Sequence, residues 1–205
     1  MAIEVNNLDQ GYEQCNEMHS LSQTKGKDLV NHLSELIKHL EIDWKGSDAT
    51  LHINNLIKVN DALNEILLEA ISHSSDAASA MIALQIIRRK NGSGSSAVGQ
   101  QLNKNFMSLP GFKMLSDTAE YNVAPGITSD YLDLVDFESK FKQFVNEFEN
   151  IKSRLFSNWT GGADHTGALK AFNKFAENAD VYEKYIEKAK DDLGKAIDNV
   201  NPAMD

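Results

Sequence analysis

Three side chains, His32, Glu35 and His39, stand three and four residues apart, a spacing that could set two imidazoles and a carboxylate around a divalent metal on one helical face. The same stretch carries Leu33, Leu36, Ile37 and Leu40, which claim the buried side of that helix, so the polar set reads as a hydrated face. A two-metal centre in a bundle would need a matching carboxylate and histidine group in the second half of the chain, and none is present in the sequence. No metal or other cofactor is therefore predicted. The lone cysteine, Cys15, has only His19, four residues on, as a nearby base, and reads as a small core thiol. The run Gly92-Ser93-Gly94-Ser95-Ser96 lacks both the Lys-Ser/Thr ending and the preceding strand of a phosphate loop. Without a nucleophile, base and oxyanion donor grouped by spacing, the expectation is a protein that is not an enzyme. A metal-dependent enzyme built on His32, Glu35 and His39 is the weakest of the competing readings.

Charge narrows the partners. Thirty acidic against twenty basic residues give a formal charge of −10, so binding to nucleic acid or anionic lipid would require a concentrated basic patch. The only basic run is Arg88-Arg89-Lys90, which falls at the end of a helical pattern, where the negative pole of the helix dipole favours cations. No nucleic-acid partner is predicted. The longest apolar stretches, such as residues 77–87, are too short to span a bilayer, so no stable membrane insertion is expected. Residues 1–10 carry neither the basic nor the apolar segment of a cleavable signal, which makes a leaderless route the expectation for any exported form.

Helices must position these residues. Leu29, Leu33, Leu36, Ile37 and Leu40 recur at helical steps and predict a helix over about residues 8–42. Leu56, Ile57, Leu63, Leu67 and Ile71 continue the pattern and predict a second over about 48–90. Phe137, Phe141, Phe144, Phe148, Ile151 and Leu155 mark a third over about 129–157, and Leu169, Phe172, Phe175, Ala179, Tyr182, Ile186 and Leu193 a fourth over about 163–200. All three prolines, Pro110, Pro125 and Pro202, lie outside the four predicted helices, as the missing donor and the ring clash require. Five of the twelve glycines and two of the prolines fall within residues 91–128, which reads as a linker. That linker also carries Phe106, Met107, Leu109, Phe112, Met114 and Leu115, so part of it, around 98–107 or 112–118, is expected to form short helix and pack on the bundle.

An offset of 115 residues aligns Leu29 with Phe144, Leu33 with Phe148, Leu36 with Ile151, Leu40 with Leu155, Trp44 with Trp159 and Gly46 with Gly161. Both tryptophans of the chain thus occupy equivalent places, each two residues before a glycine, and the repeat organises the fold. Gly46 and Gly161 are expected to take the positive φ that ends a helix, with Ser47 as the N-cap of the second helix. Asp48 and Asp164 place negative charge in the first turn that follows. A tryptophan there can act as a lid on the core or as an anchor for a partner, and both roles are compatible.

With these residues in place the chain resembles the Trp-x-Gly, ESAT-like substrates of bacterial type VII secretion systems. The resemblance rests on Trp44-Lys45-Gly46 and Trp159-Thr160-Gly161, each between two long amphipathic helices, and covers about residues 8–90 and 129–200. Members of that family are helical hairpins that pair as homodimers or heterodimers into elongated four-helix bundles and leave the cell folded. The resemblance implies an all-α, elongated four-helix bundle of two tandem hairpins, residues 1–90 and 129–205, as a pseudo-heterodimer in one chain with a partly helical linker over 91–128. The family's export signal, Tyr-x-x-x-Asp/Glu, has its nearest counterpart in Tyr182 and Glu187, with the glutamate one step late, a variant element. The implied function is non-enzymatic: a folded secreted substrate or carrier, cytoplasmic before export, that contacts the secretion machinery or another secreted protein, with a homodimer also possible. The rival reading is a helical adaptor or chaperone that stays in the cytoplasm.

Pairing of the two hairpins has to come from apolar burial. Residues 1–90 carry 13 acidic and 8 basic groups and residues 129–205 carry 15 and 10, so each half stands at −5 and the two repel. At roughly 25 cal/mol per Å² of apolar surface, the aromatic stripes of the second half set against the aliphatic stripes of the first supply the attraction.

Overall fold

The computed structural model describes residues 5–92, 98–106, 111–116 and 118–200, with side chains as far as residue 198. Four helices carry the chain: α1 Leu8–Asp43, α2 Ser47–Lys90, α3 Ile127–Asn158 and α4 Ala163–Val200. The protein is an all-α four-helix bundle of two hairpins, α1–α2 and α3–α4. The two-residue strands β1 Trp44–Lys45 and β2 Asn122–Val123 pair antiparallel, with Trp44 opposite Val123.

The hairpins are not the compact units. Contacts divide the chain into unit 1, residues 1–26, 66–107 and 144–179, and unit 2, residues 27–65, 108–143 and 180–205. Each unit therefore draws a segment from all four helices and has its own four-helix core.

In unit 1 the core gathers Cys15, Met18, Leu67, Ile71, Met81, Phe144, Phe148, Phe172 and Phe175, all at most 1% exposed. Phe148 lies 4.4 Å from Phe175 and 5.8 Å from Phe172, ring centre to ring centre, so aromatic contacts join α3 to α4. Burial pushes the Cys15 thiol up to about 12, which leaves it protonated and unreactive in agreement with a core role. In unit 2 the core gathers Leu29, Leu33, Leu36, Leu40, Leu56, Leu63, Phe137, Phe141, Tyr182 and Ile186. Aliphatic α1 and α2 thus meet aromatic α3 and α4 in both cores, as the stripes of the sequence require.

The linker departs from expectation. Ahead of α3, which takes over its last two residues from Ile127, its described residues form no helix. Instead, main-chain groups of the segment 99–105 bond to side chains of α1 and α2 within unit 1. The Gly99 amide donates to Gln85 Oε1 (2.9 Å), and the Tyr12 hydroxyl bonds both the amide and the carbonyl of Gln100. Ser75 Oγ donates to the Leu102 carbonyl (2.9 Å), while His19 Nε2 and Gln23 Nε2 meet the carbonyls of Asn103 (2.6 Å) and Asn105 (2.8 Å). A segment with Gly99, Asn103 and Asn105 has poor helix propensity, and these side chains satisfy its backbone in extended form. The helix expected around 112–118 is likewise absent among the described residues: the Asn54 side-chain amide takes both the N–H (2.7 Å) and the C=O (3.0 Å) of Leu115. Residues 93–97, 107–110 and 117, on which part of the linker reading fell, lie outside the described residues.

Candidate functional site

Each turn is built in three steps from its sequence. In unit 2, α1 ends at Asp43, the chain extends through Trp44 and Lys45, and Gly46 turns it into α2 with φ at +127°. The Gly46 carbonyl accepts from the Thr50 amide (2.9 Å), so Gly46 itself is the N-cap and Ser47 the first helical residue, and the helix starts one place earlier than the sequence suggests. In unit 1, α3 ends at Asn158, Trp159 and Thr160 follow, and the positive φ, +106°, falls on Gly162 and not on Gly161. The Gly162 carbonyl accepts from Thr166 (3.2 Å) in the same capping role. The second turn therefore holds one more residue than the first. Gly161 serves differently: its carbonyl accepts the indole Nε1–H of Trp159 at 3.1 Å.

Both indoles are buried, Trp44 at 2% and Trp159 at 1% exposure. Trp44 stacks on His52, with centroids 5.3 Å apart and planes at 16°. Trp159 stacks on Phe156 at 6.0 Å and meets His165 edge-on at 5.6 Å. They cap the cores, and no free indole face is left for a partner.

A main-chain partner pins each turn. In unit 2, Trp44 pairs with Val123, just ahead of α3, and the Ala124 amide donates to the Asp43 carbonyl at 2.7 Å. In unit 1, Trp159 pairs antiparallel with Val5, just ahead of α1, and the Asn6 amide donates to the Asn158 carbonyl at 3.0 Å. The Asn158 side chain also takes the Asn7 N–H (2.9 Å) and C=O (2.6 Å). So the turn of either hairpin is held by the segment that leads into the other. Arg88, from the basic run, donates to the Val5 carbonyl at 2.8 Å and so reinforces the same joint.

The variant export element is divided by burial. Tyr182 is 1% exposed, its ring lies 4.7 Å from that of Phe141, and its hydroxyl has no hydrogen-bond partner among the described residues. Burial pushes its pKa well above the ordinary phenol value, so it stays neutral. Glu187 is half exposed, 3.6 Å from Lys142, which also pairs with Glu138 (2.7 Å) and Glu183 (3.0 Å). Tyr185, one turn on from Tyr182 in α4, is exposed and helps line a groove of about 420 Å³ in unit 2 with Lys58, Val59, Ala62 and Lys188. A second cleft in unit 2, of about 310 Å³, is lined by Trp44, His52, Tyr121, Asp192 and Lys195.

His32 and His39 part company. His32 meets the Phe137 ring edge-on at 5.8 Å and is held below the ordinary imidazole pKa, first by burial and then by Lys140. His39 instead joins Asp130 and Asp133 of α3, one donor atom from each lying within 4.8 Å of the others. Nothing in the local spacing signals that group, because its members come from two helices. The Asp130 carboxyl is pushed up to about 6, first by burial and next by the Asp43 carboxylate.

Comparison of the chain with protein-family models, with curated proteins and with solved structures finds no match.

Proposed function

We propose that this chain is a non-enzymatic interaction protein of a type VII, ESAT-like secretion pathway, acting as a folded substrate or carrier. One observation carries the reading. Two Trp-x-Gly turns occur in one chain, each with its indole buried over a four-helix core and each tied by main-chain hydrogen bonds to the entry segment of the other hairpin. A pair of hairpins that the ESAT-like family brings together from two chains is here joined covalently, so partner contacts fall to the outer surfaces. The groove that exposes Tyr185 offers apolar and cationic side chains for such a contact.

Burial of Tyr182 favours a second reading, a cytoplasmic adaptor or chaperone that is not itself exported, because a receptor cannot grip a tyrosine that is 1% exposed. Intact chain in the culture supernatant, lost on deletion of the secretion ATPase, is the expected result for the substrate or carrier. Protein found only in the lysate, and captured there with a secreted protein, would select the adaptor. An affinity pull-down of the tagged chain from both fractions of its own organism makes the comparison in one experiment.

A further inference from the structure

We propose that His39, Asp130 and Asp133 bind one first-row divalent cation of the zinc class at the joint between the end of α1 and the first turn of α3. This inference does not depend on the secretion reading.

Helical spacing brings the donors to one place within unit 2. His39 and Asp43 stand four apart near the end of α1, and Asp130 and Asp133 three apart at the start of α3, so each pair shares a helical face. The three candidate donor atoms all lie within 4.8 Å of one another. Donors on one zinc ion, with bonds of about 2.0–2.2 Å, are separated by at most about 4.4 Å, so small side-chain rotations bring them onto a common ion.

An orphaned group points to the ligand. Asp130 is 3% exposed, yet its Oδ2 has no hydrogen-bond partner among the described residues. A carboxylate in that state is costly, and it normally finds a donor or a cation. Asp43 adds a further negative charge beside it. Among the described residues no lysine or arginine forms an ion pair with Asp43, Asp130 or Asp133, whereas Asp136, one turn further along α3, has Lys140 at 2.7 Å. The site thus assembles three carboxylates around one imidazole and leaves their charge unanswered.

The donor types select the ion. One imidazole nitrogen with carboxylate oxygens suits zinc and its first-row neighbours, while calcium asks for six to eight oxygens and magnesium keeps most of its waters. His39 is exposed and Asp133 half-exposed, which gives an ion access and leaves room for water as a further ligand. Bound there, the ion would clamp the first hairpin to the second within unit 2.

The test uses the full-length chain, freed of metal by dialysis against a chelator and titrated with Zn²⁺ alone. Calorimetry and metal analysis should give one ion per chain, with a melting temperature raised by about 5–10 °C at a hundredfold excess over the dissociation constant. His39→Ala and Asp130→Asn should each weaken uptake by at least about tenfold. Asp130→Asn keeps the shape and removes the buried charge, so its metal-free melting temperature should equal or exceed that of the parent, which separates loss of binding from loss of fold. His19→Gln, in unit 1, should bind as the parent does. Absence of stoichiometric uptake, retention of parental uptake in either ligand variant, or preference for Ca²⁺ or Mg²⁺ over Zn²⁺ would overturn the site.

Discussion

The turn at Trp159 and the turn at Trp44 solve one problem with different materials. Both bury an indole over a four-helix core and both are pinned by an extended segment. Around Trp159 stand Phe156, His165 and, against Phe156, Phe172, and the indole N–H is satisfied inside its own turn. Around Trp44 the ring contact is the half-buried His52, and an open cleft of about 310 Å³ lies alongside. Carboxylates also gather near the end of α1, which Trp44 follows directly. A closed aromatic cap maximises buried area. A polar, partly open cap leaves groups that water, protons or ions can reach. The duplicated motif therefore carries the fold at both turns, while the chemistry concentrates at one.

The comparison is broken most directly by removing the indoles. Trp159→Ala should cost about 3–5 kcal/mol, because a fully enclosed ring leaves a cavity that its rigid neighbours cannot fill. Trp44→Ala should cost less, about 2–3 kcal/mol, since the adjoining cleft lets side chains and water relax into the space. Urea unfolding reads both, and a larger loss at Trp44 would refute the contrast. Next in size are the capping glycines. Gly162→Ala and Gly46→Ala force a side chain into a positive φ and should each cost about 1–3 kcal/mol; at Gly46 the new Cβ would also meet Tyr121 Cδ2 at 3.2 Å. Gly161→Ala, despite belonging to the Trp-x-Gly motif, should stay within about 0.5 kcal/mol.

That last pair shows where sequence stops being legible. The four helices and the buried stripes follow from periodicity, because apolar spacing is a local property of each helix. The register of the second turn does not: Gly161-Gly162 offers two residues able to take positive φ, and the choice is made by the hydrogen bond from Trp159 to Gly161 together with the cap at Gly162. The linker departs from its local pattern for a related reason. Its apolar residues suggested a helix, but its backbone partners, Tyr12, His19, Gln23, Ser75 and Gln85, are distant in sequence and compete with local hydrogen bonds. Local spacing groups His39 with His32 on its own helix, whereas its neighbours in space, Asp130 and Asp133, sit on α3. Tyr182 fits a motif and also stands on the apolar stripe of α4, and its contact with Phe141 of α3 makes it core.

A further contrast tests whether the two units anchor their extended segments by one rule. Asn158 in unit 1 and Asn54 in unit 2 each use one side-chain amide to hold both backbone groups of a single residue, Asn7 and Leu115 respectively. Asn158→Ala should cost about 2–3 kcal/mol because the amide is buried, and Asn54→Ala about 1–2 kcal/mol because it is partly solvated. Hydrogen exchange should show faster amide exchange at Asn7 in the first variant and at Leu115 in the second. Equal protection in both variants would mean that the segments are held by something else.

The smallest expected effect is a difference in acid response at His52. Burial against Trp44 holds this imidazole below its usual 6.5, with Asp192 and Asp48 pulling upward and Lys188 pushing down. Its folded pKa lies below the unfolded one, so the neutral ring is favoured; the associated stability is complete above pH 6.5 and drains away as pH falls through the folded pKa. His73 in unit 1, edge-on to Phe172 at 6.1 Å, is depressed in the same direction, first by burial and against the pull of Glu69 and Asp76. The unfolding midpoint should therefore fall between pH 7 and 5, and His52→Gln or His73→Gln should each flatten part of that fall. Only His52→Gln should also abolish the accompanying change in Trp44 fluorescence, since protonation of a stacked imidazole alters the indole it covers. Parallel profiles for His52→Gln and the parent would show that the polar cap around Trp44 does not sense acid.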